Sequence, residues 1–328
     1  MDADQLLRRY ASGTTNFMGE NLGGVDLSRA DLIGVNLSKA DLHSASMVFT
    51  YLGRAKLSKA NLVGAKLCGA NLNQADLTDA DLSDANLHGA NLQGSDLQGS
   101  NMTLATLLDA NLIEADLRNT NLSSANLSGA CLRGANLRRD SRRNCVLRSA
   151  NLSRADLQGV NAGGADLSRV DLSGANLVEA NLAEANLAGA NLAGANLRGA
   201  SLRDADLTGA NLVGVNLAGA KLERAKLADA DLSGSNLKDA NLVEAKLGKA
   251  NLVGVNLSEA KLARADLSRA NLTGCNLSRA SLVDAYLART NLENANLTEA
   301  LLTRADLSTA NLLGAILQGA TMPDGRVN

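Results

Sequence analysis

The chain has 328 residues, 2% aromatic content, no Trp and a formal net charge of -2. This balance gives no bulk attraction to nucleic acid or to an anionic membrane, and no apolar run approaches the ~18 residues that span a bilayer. The start Met1-Asp2-Ala3-Asp4 is acidic and carries no apolar leader segment, so a cytoplasmic location is expected.

The first element is a short helix. Asp4-Gln5-Leu6-Leu7-Arg8-Arg9-Tyr10 places Leu6, Leu7 and Tyr10 on one helical face, with Asp2 or Asp4 to cap it and Gly13 to end it. A stack of open-edged coils needs its end covered, so residues 1–13 read as an N-terminal cap.

From residue 14 a single unit takes over. Every fifth residue from Phe17 to Met322 is Leu, except Phe17 itself, Met47, Met102, Arg142, Ala162 and Met322. The residue two before Leu is small, and the one just before it is mostly Asn or Asp. On a helix a five-residue spacing advances about 140° past a full turn and scatters the Leu residues over all sides. In a straight strand it puts alternate Leu residues on opposite faces. The spacing works if the chain turns by about a right angle each pentad, so that four pentads close one coil with every Leu inward. About 15 coils stacked ~4.8 Å apart would extend roughly 70 Å. The expected fold is therefore all-β, a four-sided solenoid over residues 14–322, with a tail at 323–328. Gly at the second variable position fits a corner of unusual dihedrals. Pro323 is the single proline, and proline within the stack is expected to remove a hydrogen bond between coils.

The departures from the repeat are the candidate functional positions. Met47-Val48-Phe49-Thr50-Tyr51 places Val48 and Phe49 outward and Tyr51 in the Asn/Asp position. Two readings stand, an exposed interface or packing under the N-terminal helix. Leu104, Leu108 and Ile113 occupy outward positions of one coil on three successive faces, a second apolar patch. At Arg142 a charge stands where a Leu is required, within Arg138-Arg139-Asp140-Ser141-Arg142-Arg143-Asn144. An unpaired Arg in the core is costly, so the segment is expected to bulge or to leave the stack as a loop at 138–144. From Arg133 to Arg154 there are seven Arg and one Asp. This segment reads as a solvated loop or as a recognition element for an acidic peptide or protein surface, through Arg138, Arg139, Arg142 and Arg143.

Beyond the break, residues twenty apart are expected to stack, which would align Asn176, Asn196, Asn216, Asn236, Asn256, Asn276 and Asn296 as a ladder of amides. The apolar last coil, with Leu301, Leu313 and Ile316, reads as a cap or as an end-to-end contact between two chains. Cys145 and Cys275 occupy small inward positions, Cys68 an outward one and Cys131 the Asn/Asp position. All read as fillers in a reducing compartment, with a Cys131–Cys145 pair as the alternative if the chain between them bulges. His43 and His88 are the only histidines, and both take outward positions. No catalytic or metal-ligating constellation and no cofactor motif is apparent, so no enzyme is expected.

The small-(Asp/Asn)-Leu-x-x repeat resembles that of the pentapeptide-repeat family from Phe17 to Met322. The opening Leu6-Leu7-Arg8-Arg9-Tyr10-Ala11-Ser12-Gly13 with Asn16-Phe17, and the closing Met322-Pro323-Asp324-Gly325, look like cyanobacterial members. The resemblance implies a right-handed quadrilateral β-helix. It also implies a non-enzymatic scaffold for protein–protein contact, of the kind that regulates cell differentiation by contacting a transcriptional regulator. A monomer or an end-to-end dimer, without nucleic-acid or membrane contact, is expected. Other members protect a type II topoisomerase as DNA mimics. That role needs a strongly acidic surface, and a net charge of -2 counts against it. A purely structural solenoid is the remaining alternative.

Overall fold

The structure is a computed structural model describing residues 1–140 and 144–328. It divides into two compact units, Met1–Asp166 and Leu167–Asn328.

The first unit opens with helix α1, Ala3–Ala11. The Asp2 side chain caps it by accepting from Gln5 N at 2.7 Å, and Gly13, with φ of 95°, follows its end. Leu6 is fully buried. The Tyr10 hydroxyl donates to Ile33 O at 2.7 Å, and the Arg9 guanidinium lies 5.1 Å from the Phe17 ring centre. The helix thereby fastens onto the first coil.

Both units are built from the same coil. Isolated parallel bridges join residues twenty apart, as in Asn16↔Asn36 and Asn176↔Asn196. In each unit the Leu positions and the small positions two before them form the core. A fully buried Leu contributes about 1.5–3 kcal/mol, so each coil adds a near-equal increment.

The reason for the pentad lies in its backbone donors. In Ala210–Gly214, Ala210 N donates to Leu207 O at 3.0 Å and Asn211 N to Ala190 O at 2.9 Å. Leu212 N donates to Asp231 O at 2.6 Å and Gly214 N to Ser233 O at 3.0 Å. The remaining donor, Val213 N, reaches Asn211 Oδ1 at 3.2 Å. All five N–H groups are thus satisfied, one by the turn, three by neighbouring coils and one by the Asn side chain. That last bond explains the preference for Asn or Asp before Leu. The amide also serves the stack, since Asn211 Nδ2 donates to Asn191 Oδ1 at 3.0 Å. The expected ladder forms as well, with Asn216 Nδ2 donating to Asn196 Oδ1 at 3.2 Å and Asn256 Nδ2 to Asn236 Oδ1 at 3.2 Å.

Each corner is a type II turn. The Leu carbonyl accepts from the residue three later, and the second variable residue has positive φ, for example Gly214 at 65° and Arg264 at 57°. Among described residues from Gly19 to Gly319, this pattern lapses only at Arg139 and Asn144.

Those two residues flank the one interruption. Bridges run twenty apart as far as Asp116↔Asn136, then twenty-five apart at Asn121↔Val146, Asn126↔Asn151, Cys131↔Asp156 and Asn136↔Asn161. Cys145, not residue 140, fills the buried small position of the next pentad. The step between bridged residues is therefore five longer across the interval from Arg139 to Cys145. Residues 141–143, including the expected contacts Arg142 and Arg143, lie outside the described residues.

The expectation for proline needs correction. Pro323 occupies the first variable position, where no backbone acceptor awaits an N–H, and its carbonyl still accepts from Arg304 N at 3.0 Å. The turn of Pro323 differs from the coil corners, since Gly325 and not Asp324 has positive φ; in the coil corners themselves type II geometry favours Pro at the first variable position, whose N–H has no backbone acceptor to lose. The tail then folds back, with Met322 N donating to Arg326 O at 2.7 Å and an antiparallel bridge Thr321↔Val327.

Candidate protein-binding interface

In the first unit each coil has four pentads, and equivalent pentads stack into four sides. Phe49 and Leu108 fall on the same side, because the bridges Asp26↔Ser46↔Lys66↔Asn86↔Thr106↔Asn126 align their pentads. The first variable positions of that side carry Val48, Cys68, His88 and Leu108 in successive coils. Phe49 is 56% exposed, and its ring lies where a side chain at Gly69 would stand. Gly69 serves both the positive φ of its corner, 61°, and the close approach of this ring. Phe49 therefore lies along the outer surface over the next coil. Leu104, 55% exposed, closes the adjoining pentad on one edge of the side. Tyr51, 52% exposed, and the half-buried Ile113 belong to the stack that follows on the other edge.

The two apolar patches read separately in the sequence thus join into one strip, with Cys68 and His88 filling the gap. The His88 ring is held against the strip, its Nδ1 lying 3.1 Å from Leu108 O. Sequence reasoning missed Cys68 and His88 as members of a surface. The available signal was the coil period, since 48, 68, 88 and 108 are twenty apart.

Arg138 and Arg139 lie elsewhere. Their pentad stacks with those of Asn16 to Asp116, half a coil away from the apolar strip. Arg139 N donates to Gly163 O at 2.8 Å, and its side chain packs over Gly164. Asp140 accepts from Asn119 Nδ2. Arg138 and Arg139 therefore lie on a different side from the apolar strip.

The cysteines are all free thiols, so no Cys131–Cys145 bond is present. Burial pushes the Cys145 thiol well above its ordinary range and the Cys275 thiol up to about 12, which keeps both protonated and unreactive. Among the described residues no group of three His, Cys, Asp or Glu side chains is arranged to hold a metal ion, and no helix is long and apolar enough to cross a membrane.

Comparison with known proteins follows the same periodicity. The family model for pentapeptide repeats matches residues 21–58, 60–99, 100–139 and 143–161, then 165–204, 200–239, 240–279, 250–287 and 280–319. One gap between its matches, 140–142, falls where the bridging step lengthens. No curated protein matches. Among solved structures, the chain is 30% identical to HetL, a pentapeptide repeat protein involved in heterocyst differentiation regulation in the cyanobacterium Nostoc, covering 100% of both chains with a TM-score of 0.24. A pentapeptide repeat protein of the Arabidopsis thaliana thylakoid lumen is 37% identical over 30% of this chain and 69% of its own, with a TM-score of 0.30. Rfr23 from the cyanobacterium Cyanothece is 35% identical over 34% of this chain and 86% of its own, with a TM-score of 0.25. With the family model matched over most of its length and a relative 30% identical from end to end, the chain belongs to the pentapeptide-repeat family.

Proposed function

We propose that this protein is a non-enzymatic scaffold that regulates cell differentiation by binding a regulatory protein, of the transcriptional class that the family resemblance implies. The observation that carries the reading is the apolar strip of the first unit, in which Phe49 and Leu104 are exposed and Val48, Cys68 and Leu108 are half-buried. Large exposed apolar side chains grouped on a rigid surface favour a protein partner. The identity to HetL over its full length supports the regulatory role. Tyr51 and Ile113 would widen the contact, while Arg138, Arg139, Arg142 and Arg143 would form a separate one for an acidic surface. The same reading takes the coils as a right-handed quadrilateral β-helix of about 15 turns, capped by residues 1–13, acting in the cytoplasm as a monomer or an end-to-end dimer.

The test is a quantitative pull-down from the native cell. Phe49→Asp with Leu108→Asp is expected to lose a partner that the unchanged protein retains. An acidic side chain stands at equivalent positions in both cases, Asp79 and Asp84 for the first and Glu223 and Glu293 for the second, so the coil is expected to tolerate both changes. A parallel variant with Arg138, Arg139, Arg142 and Arg143 all changed to Ala separates the two contacts. If both variants retain every partner of the unchanged protein, the surface assignment is wrong.

A further inference from the structure

The second unit carries a surface of different chemistry, and it stands out against its own neighbouring column. In the stack of Ser201, Lys221, Asn241, Lys261 and Ser281, the positive-φ residues run Asp204, Arg224, Glu244, Arg264, Asp284, Arg304. Signs alternate, and the charges pair between coils: Arg224–Asp204 at 2.6 Å, Arg264–Glu244 at 2.7 Å and Arg304–Asp284 at 2.6 Å. Bonding to Arg224 holds the Asp204 carboxyl below its usual range.

The next stack does not follow this rule. Its positive-φ residues run Gly209, Asp229, Lys249, Arg269, Arg289, Thr309. Three cations occupy successive coils, ~4.8 Å apart along the stack; their backbone N–H groups bond to the next coil, while no side-chain ion pair or hydrogen bond joins their charged groups to a described residue. Beside them runs an open groove of about 470 Å³. Its floor is the column Ala228, Gly248, Ser268, Ala288, all of them small. Gly248 is not demanded by the fold, since its φ is not positive and a Cβ there would meet nothing closer than 3.8 Å. Tyr286, 57% exposed, rises on the far side of that floor. The carboxylates nearby are held by their own turns. Asp266 Oδ1 accepts from Ser268 N at 3.0 Å and Oγ at 2.6 Å, and Asp306 Oδ1 accepts from Ser308 N at 2.9 Å.

We propose that this groove docks a short acidic peptide segment, laid along the stack over Gly248, Ser268 and Ala288 with its carboxylates toward Lys249, Arg269 and Arg289, and ending before Asp229, which lines the groove beside Ala228. Charge complementarity selects the occupant: unpaired cations accept carboxylates through charge-assisted hydrogen bonds. The small floor leaves room for a backbone, and the exposed Tyr286 ring offers apolar contact. The pattern also limits length. Asp229 stands next in the cation column, and Asp306 lies one coil beyond Tyr286. A long polyanion would meet both, and nucleic acid would need a longer basic track and further aromatic platforms.

The experiment measures fluorescence anisotropy of a labelled, end-blocked Glu-Val-Glu-Val-Glu-Val peptide with the full chain. Binding is expected, and the Gln-Val isostere should bind at least ~10-fold more weakly. Arg269→Glu with Arg289→Glu should weaken the acidic peptide by at least ~10-fold. Gly248→Leu should weaken it without any change of charge. These variants are expected to fold, because Glu occupies the corner position at 179, 184 and 244 and Leu occupies the floor position at 108 and 313. The control Lys39→Glu with Lys59→Glu changes two corner cations of the first unit and should bind as the unchanged protein does. The proposal is overturned by absence of binding at ~1 mM peptide, by equal binding of the Arg269/Arg289 variant, by loss in the control, or by preference for oligothymidylate of similar length.

Discussion

Arg264→Pro is expected to lose at least about 3 kcal/mol of stability, whereas Ala263→Pro, one residue earlier, should leave the melting temperature unchanged or raise it. The two positions are neighbours on one surface turn, Ala263 half-buried and Arg264 exposed, so burial alone would predict the opposite order. Arg264 has φ of 57° and donates its N–H to Val283 O at 2.9 Å. Proline can satisfy neither requirement, because its ring fixes φ near -65° and removes the donor. Ala263 follows Lys261-Leu262, so no Asn or Asp oxygen awaits its N–H. Its carbonyl, accepting from Glu244 N at 3.0 Å, survives the change. Proline also restricts the unfolded chain, worth about 0.4–1 kcal/mol where the native dihedrals allow it. Thermal unfolding followed by circular dichroism decides the matter. Equal destabilisation by both substitutions would refute the accounting of donors within the pentad.

Asp140→Ala combined with Arg142→Leu is expected to move the register of the coils after residue 139. The pentad 140–144 would then read Ala-Ser-Leu-Arg-Asn, a competent repeat, since Ser already stands before the core residue at Ser46 and Ser201. Drawing it into the stack gains a buried Leu, about 1.5–3 kcal/mol, and no longer buries an unpaired charge. Residues twenty apart would then stack across the former break, bringing Cys131 beside Asn151 in place of Asp156. Engineered disulfides can read this, because neighbouring coils at ~4.8 Å lie within bonding reach for two cysteines. In the native background Asp156→Cys should crosslink to Cys131 and Asn151→Cys should not. In the double variant the outcome should reverse. Crosslinking through position 156 alone in both backgrounds would show that something other than Arg142 and Asp140 sets the register.

Much of the fold was legible because the repeat constrains every residue in the same way. Leu and the small residue two before it are inward, the Asn column stacks, and Leu6 is the buried residue of a helix capped by Asp2. What could not be read has a physical cause in each case. The break at Arg142 was visible, but the Leu spacing gave no sign that the bridging step lengthens by five, because one extra pentad leaves a five-residue period intact. Only the ladder, changing from Asp116↔Asn136 to Asn121↔Val146, exposes it. The place open to proline was hidden because it depends on which donor lacks a backbone acceptor. The apolar strip was read in pieces, since Phe49 and Leu108 are far apart in sequence and become members of one side only through the twenty-residue coil. The cation column Lys249, Arg269, Arg289 was missed for the same reason.

The closed accounting of donors within each pentad has a consequence for how such a protein changes over time. The two variable residues and the side chain before Leu point outward, and the backbone bonds that hold the coil ask nothing of the first variable side chain. The outer surface is therefore a grid with rows one coil apart, in which each cell can be rewritten without repacking its neighbours. Duplicating twenty residues adds a row and deleting twenty removes one, with each remaining bond finding an equivalent partner. Among relatives, drift should concentrate in the grid while the inward columns stay uniform, so that new recognition arises by editing cells on a surface whose support does not change.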